Sequence, residues 1–249
     1  YTLSGRQQRT FMKLIVEADY EGMSAAAAAL VLATLAEKRD ALLVFPTGAT
    51  PLGMFAALVR SGADFGAARF ATLDEYRGIG PSDRRRLGSW LRRELFDPLC
   101  IGEDRVVAFD PEAEPAAEAA RMEDAIARLG GIDLAMVGLG PNGHLGFNEP
   151  GSAFDSRSRQ VVLTPESIRS NAAYWGSEAD VPREGLTLGL GTLQAARCLA
   201  MVVAGAGKRD ILARSLEGPV GEAVPATLLR QHRNAIVFAD RAALPGDQP

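Results

Sequence analysis

Sulfur and imidazole side chains are scarce in this chain: its 249 residues include two cysteines and two histidines. Cys100 and Cys198 lie too far apart for a CxxC pair, and with only His144 and His232 beside them no zinc site is expected. That usage points to a reduced, cytoplasmic protein whose thiols are buried and inert. Positive charge is not in excess either. A formal net charge of −4 gives no basic field for nonspecific nucleic-acid binding, yet leaves room for a small anion site. The longest apolar run, residues 23–36, is bounded by Glu21 and Glu37; it is too short to span a membrane and reads as an Ala-rich buried helix. The residues before it are mixed and polar, unlike a secretion signal. Linkers and fixed-period repeats are also missing, so residues 12–249 read as one domain, with residues 1–11 an N-terminal extension ahead of Met12.

What the chain does have is a large apolar fraction, 47%, in alternating strand-like and helix-like runs. Strands are expected at 13–17, 41–45, 69–73, 132–137, 160–163, 186–190, 199–204 and 235–238. Helices are expected at 23–36, 52–59, 87–96 and 111–129, with further helix starts at Thr164-Pro165 and at Gly205 to Lys208. Such alternation implies an α/β, three-layer, modified Rossmann-like fold, with a mainly parallel sheet covered by helices on both faces.

The most informative stretch is DLAMVGLGPNGHLGFNEPGS, residues 133–152. A buried-strand pattern ends in glycines interleaved with Asn142 and His144, and Glu149 follows five residues later. Gly138 to Gly143 matches GxGxxG literally. A dinucleotide site also requires a helix opening inside the motif and an acidic residue roughly 20 positions on, and neither requirement is well met. A histidine and a carboxylate at a strand end are instead proton-transfer equipment.

The loop PTGATP, residues 46–51, is the better anion site. Thr47, Gly48, Ala49 and Thr50 can turn amides and hydroxyls inward at a helix start, and Lys208, after two glycines, can add a charge if the sheet brings it near. Ordinary βα turns and a solvated lysine remain the alternative. Asp74, alone, would read as a turn carboxylate. Converging with His144 and Glu149 beside an anion nest, it points to proton shuttling on a small phosphorylated substrate.

At these residues the chain resembles the glucosamine-6-phosphate deaminase (isomerase) family, which shares its fold with 6-phosphogluconolactonases. The likeness runs through LVFPTGATPLG, FATLDEYRGI, DLAMVGLGPNGHLGFNEPGSAF, LTLGLGTLQAA and PATLLRQH. Asp74-Glu75-Tyr76 and HLGFNEP resemble the deaminase branch. The resemblance implies conversion of an amino-sugar 6-phosphate, foremost glucosamine 6-phosphate, and water to fructose 6-phosphate and ammonia, with no cofactor or metal. His144, oriented by Glu149 and Asn142, would open the sugar ring; Asp74 would take the C2 proton; residues 47–50 and Lys208 would hold the phosphate.

Three positions depart from the family pattern. Asn142 replaces a frequent aspartate and can accept a hydrogen bond from the imidazole without stabilising its cation by charge. Ala173 stands where some relatives have a substrate-binding arginine, with Arg169 a weak substitute. Ser152 and Arg159 match part of an effector pocket, but Val161 replaces its lysine and its tyrosine would fall beyond Pro249, so an enzyme without N-acetylglucosamine 6-phosphate activation is expected. Two other functions stay open: a lactonase in which His144 activates water, and a non-catalytic sugar-phosphate-binding module. The sugar's C4 configuration and homo-oligomer formation also stay open. A small-molecule partner is expected, with neither nucleic acid nor membrane.

Overall fold

The computed structural model describes residues 12–80 and 82–244; the expected extension at 1–11 lies outside them. The strands are β1 (Met12–Glu17), β2 (Leu42–Phe45), β3 (Arg69–Thr72), β4 (Asp74–Tyr76), β5 (Val106–Val107), β6 (Leu134–Gly138), β7 (Arg159–Val162), β8 (Glu184–Thr187), β9 (Cys198–Val203) and β10 (Ala235–Asp240). The α-helices are α1 (Tyr20–Glu37), α2 (Leu52–Ser61), α3 (Leu87–Leu91), α4 (Pro115–Arg128), α5 (Pro165–Trp175), α6 (Leu190–Gln194) and α7 (Arg209–Glu217). Seven strands pair in parallel, in the order β1-β10-β9-β6-β2-β3-β5.

Side chains alternate across this sheet, because successive Cβ atoms of a strand point to opposite faces. Leu42, Val44, Ala135, Val137 and Met201 face one core with Met122 and Ile126 of α4 and Ile211 and Leu212 of α7. Leu43, Phe45, Phe70, Met136 and Val202 face the other, with α1, α2 and α3. Both faces being covered explains why these strands read as continuous apolar runs. Three layers follow, as the sequence predicts.

The Ala-rich run is a surface helix with one buried stripe, not a fully buried one. Asp19 caps it by accepting from the Gly22 amide at 2.8 Å, and Met23, Ala27, Val31 and Leu35 face the core. Among the described residues no helix is long and apolar enough to cross a membrane. Cys198 is buried, but Cys100 is exposed, in a turn with φ of 56°; the expectation of two buried thiols fails there.

A second correction concerns residues 73–76, 160–163 and 186–190. The chain bends at Leu73, and β4 leaves the parallel sheet to pair antiparallel with β8, which pairs antiparallel with β7. Leu188 N–H donates to Leu73 O at 2.9 Å, fastening this small sheet to the end of β3. Tyr76, Phe147, Ile168 and Trp175 form its own apolar cluster with α5. Short runs identify a strand but not its partner, so sequence pattern alone left 160–163 and 186–190 in the parallel sheet and did not mark Asp74–Tyr76 as a strand.

Candidate active site

Strand order does the first part of the work. In the sequence β9-β6-β2-β3 the carboxyl ends of four neighbouring strands release Ala206–Lys208, the His144 segment, the 46–51 loop and Asp74 along one crevice. Ligands of open α/β sheets bind where strand order reverses; here β2 and β3 progress one way and β6 and β9 the other. A cavity of about 410 Å³ lies there, lined by Thr47, Gly48, Ala49, Thr50 and Lys208, with Asp74 and His144. That volume suits a small molecule.

Asn142 and Glu149 do not line the cavity; they stand behind His144. The segment after β6 forms turns and no helix, in keeping with the failed dinucleotide match. Two glycines let it fold against its neighbours. A Cβ on Gly140 would lie 2.2 Å from the His144 ring, so the imidazole rests on bare backbone. Gly146, with φ of +59°, brings the turn so close to the wall that a Cβ would meet Thr187 Oγ1 at 3.0 Å and Asp74 Oδ2 at 3.3 Å.

Glu149 Oε2 sits 3.4 Å from His144 Nδ1, and the Ser167 hydroxyl lies 3.1 Å from the same nitrogen. The carboxylate also accepts from Asn142 Nδ2 at 2.8 Å and from Thr164 N–H at 3.3 Å. Burial pushes Glu149 up, but the imidazole and the surrounding donors outweigh it and hold the group down at about 2. A carboxylate facing Nδ1 assigns that nitrogen the proton and leaves the Nε2 lone pair for the cavity. Asn142 therefore plays a different part from the expected one. Its Oδ1 accepts from the backbone N–H of His144 at 3.1 Å, so it secures the turn and the carboxylate, and makes no bond to the ring.

Asp74 is the opposite case. It is buried, and no described residue donates to its carboxylate. Desolvation, with the adjacent Glu75 charge, raises it to about 8. Glu75 itself accepts from the amides of Tyr76, Leu87 and Gly88 at 3.0, 2.9 and 3.0 Å, and so ties β4 to the start of α3.

The 46–51 loop turns at Gly48, whose φ is +100°. Tyr20 holds it: the phenol accepts from Gly53 N–H at 2.7 Å and points at Thr50 O, 3.0 Å away. One amide at the start of α2 is thus occupied, leaving the loop itself as the anion-facing surface. Lys208 Nζ reaches across to donate to Leu139 O at 2.6 Å, and burial lowers its pKa.

Ser167 and Tyr20 escaped sequence reasoning, as did the cavity-lining Arg84, Arg85 and Tyr174. A signal for part of this set exists: Ser167, Asn171 and Tyr174 share one face of α5 at helical spacing. Ala173 and Arg169 are exposed and do not line the cavity.

Comparison with known proteins agrees with this geometry. The family model for glucosamine-6-phosphate isomerases/6-phosphogluconolactonase matches residues 18–238. The glucosamine-6-phosphate deaminase of Geobacillus sp. (strain WCH70) is 37% identical over 238 residues, 94% of this chain and 95% of that protein. That of Rhodococcus jostii (strain RHA1) is 42% identical over 208 residues, 82% of this chain and 80% of its own. A solved monomeric glucosamine-6-phosphate deaminase superposes with a TM-score of 0.90 at 32% identity, across 93% of this chain and 98% of that one. The 6-phosphogluconolactonase of Thermotoga maritima shares the fold, with a TM-score of 0.74 at 19% identity, across 92% of this chain and all of that one. The chain belongs to the glucosamine-6-phosphate isomerase/6-phosphogluconolactonase family.

Proposed function

We propose that this protein is an aldose–ketose isomerising deaminase that converts glucosamine 6-phosphate and water to fructose 6-phosphate and ammonia. The observation that carries the reading is one cavity shared by a buried carboxyl with no donor among the described residues, a carboxylate-backed imidazole and the Thr47–Thr50 loop with Lys208. The deaminases of the 37% and 42% identical relatives support it further.

In this mechanism the phosphate sits against residues 47–50 and Lys208, which fixes the sugar for two successive proton transfers. His144 Nε2 takes the O1 proton and returns it to O5, opening the pyranose; Glu149 stabilises the transient imidazolium. Asp74, ionised, removes the C2 proton while one proton of the 2-ammonium passes to O1, giving an enolamine, and then delivers the C2 proton to C1. The product is an iminium at C2. Water adds to it, ammonia leaves, and the ketose remains. A cationic 2-amino group beside Asp74 favours the carboxylate and so prepares the base on binding.

A lactonase needs water activation by His144 but no carbon base, so the placement of Asp74 favours deamination. Ammonia release across a panel of amino-sugar 6-phosphates, with C2 proton exchange followed in deuterated water, tests the proposal. Lactone hydrolysis without ammonia release overturns it. We also propose that N-acetylglucosamine 6-phosphate does not activate this enzyme. Arg159 already donates to Asn148 Oδ1 at 2.8 Å and Ser152 Oγ at 2.9 Å. An increase in rate on adding that effector refutes this.

A further inference from the structure

Charge is unevenly supplied around the cavity. A phosphomonoester brings roughly −1.5 to −2 charges and three acceptor oxygens at neutral pH. On one side it meets uncharged loop groups and Lys208, one of whose donors is committed to Leu139 O. From α5 it meets Ser170, Asn171 and Tyr174, all neutral. The remaining cations on the wall are Arg84, Arg85 and Arg93. Arg93 is paired through Nε with Glu94 and Arg85 through Nε and Nη2 with Asp83, each pair closing to 2.7 Å, so that Arg85 keeps Nη1 uncommitted among the described residues.

We propose that Arg84 and Arg85, on the loop between β4 and α3, form a second cationic wall that grips the substrate phosphate and selects phosphorylated over unphosphorylated amino sugars. The proposal rests on the deaminase reading for the identity of the sugar, though not for the anion. The loop is built rather than loose. Glu75 holds the amides of Leu87 and Gly88 at its far end and lies 3.7 Å from Arg86. Asp83 Oδ1 accepts from the Arg85 amide at 2.8 Å, and Asp83 Oδ2 from Nη2 at 2.7 Å.

The Arg85 guanidinium lies 4.3 Å over the Trp175 ring. The next residue back, Tyr174, places its hydroxyl 3.6 Å from where a Cβ would stand on Gly48. These two adjacent side chains therefore link the arginine loop to the phosphate loop. Arg84 is exposed and makes no ion pair or hydrogen bond with a described residue, so its planar set of donors is free for a phosphate fork.

The test compares wild type with Arg84→Ala, Arg85→Ala, Arg85→Lys and the double alanine variant, with Arg60→Ala as a surface-charge control. Folding is checked by thermal melting. The assay reads KM and kcat for glucosamine 6-phosphate and kcat/KM for glucosamine, and calorimetry measures inorganic phosphate binding directly. Loss of a charge-assisted hydrogen bond is expected to raise KM about tenfold or more for each arginine. Phosphate affinity should fall in parallel, while kcat and the activity on glucosamine hold. Arg85→Lys should recover only part, because an ammonium neither stacks nor forks. Should wild type release no ammonia yet bind phosphate through the arginines, the deaminase reading falls and the anion site stands. Should folded Arg84→Ala and Arg85→Ala bind phosphate and substrate like wild type, the anion site falls whatever the reaction.

Discussion

Asp74, at the start of the small antiparallel sheet, and Glu149, in the turn after β6, are carboxylates of one site that the protein has driven in opposite directions. Glu149 has an imidazole, an amide side chain and a backbone N–H around it, and is held at about 2. Asp74 has burial, a like charge and no donor among the described residues, and is raised to about 8. Both residues are buried, at 6% and 7% exposure, and burial pushes both upward; only Glu149 has an imidazole and donors that outweigh it. Groups pushed apart in this way divide acid–base labour. Glu149 stays charged and supports the imidazole, whereas Asp74 switches near working pH, as a carbon base must.

Removing the high member has the largest expected effect. Asp74→Asn should lower kcat by about 10⁴-fold, the upper end for a positioned base, and abolish C2 exchange while sparing phosphate binding. Its stability should move the other way. In wild type the unfolded chain loses this proton near pH 4 and the folded one near 8, so stability falls as pH rises between those values. The amide cannot ionise and escapes that loss. Thermal melts at pH 5 and pH 8 should show the variant gaining several degrees, about, only at the higher pH. An equal shift at both would mean that Asp74 is not raised. In wild type, kcat/KM should rise with pH toward about 8, and the kcat limb should lie lower once the substrate ammonium favours the carboxylate.

Removing the low member should cost less, because it acts through the ring. Glu149→Gln is expected to reduce kcat about 10²-fold with little change in KM. Its pH signature mirrors that of Asp74. A carboxyl held down in the folded state contributes stability that is present above the ordinary carboxylate range and lost as pH falls toward 2. Urea titrations between pH 5 and pH 2 should therefore show a shallower acid limb in the variant, and an unchanged limb would sink the contrast.

Asn142→Asp probes what keeps the two apart. It replaces a donor 2.8 Å from Glu149 Oε2 by a like charge, which should raise Glu149 and bring it closer to its partner in behaviour. A several-fold drop in kcat, about, and an acid limb displaced to higher pH are expected. Neither would appear if Asn142 served the imidazole instead.

These contrasts also mark how far sequence reasoning reached. The parallel strands were legible because β2, β6 and β9 are buried on both faces and bounded by glycine or proline. The crevice was legible because Asp74, His144 and the 46–51 loop all sit at strand ends, where such sheets place ligands. The small sheet was not, since three residues of β4 carry no mark of their antiparallel partners at Gly185 to Thr187, 109 to 113 positions on. Asn142 was found but given the wrong partner: spacing of two from a histidine suits its ring and its amide equally. Tyr20 and Ser167 act on segments 33 and 23 residues away, and only the assembled fold reveals such contacts.

The smallest expected effect belongs to Ser167, and it decides whether Glu149 is the imidazole's main support. The hydroxyl is 3.1 Å from His144 Nδ1 and the carboxylate 3.4 Å, so distance alone would rank serine first. Charge reverses that ranking, because the carboxylate stabilises an imidazolium and a hydroxyl does so weakly. Ser167→Ala should then reduce kcat only about fivefold, the worth of one ordinary hydrogen bond, and leave the acid limb of stability in place. A loss as large as that of Glu149→Gln would make serine the orienting group. The low carboxylate would then be a structural charge, and Asp74 alone would carry the pH dependence of the reaction.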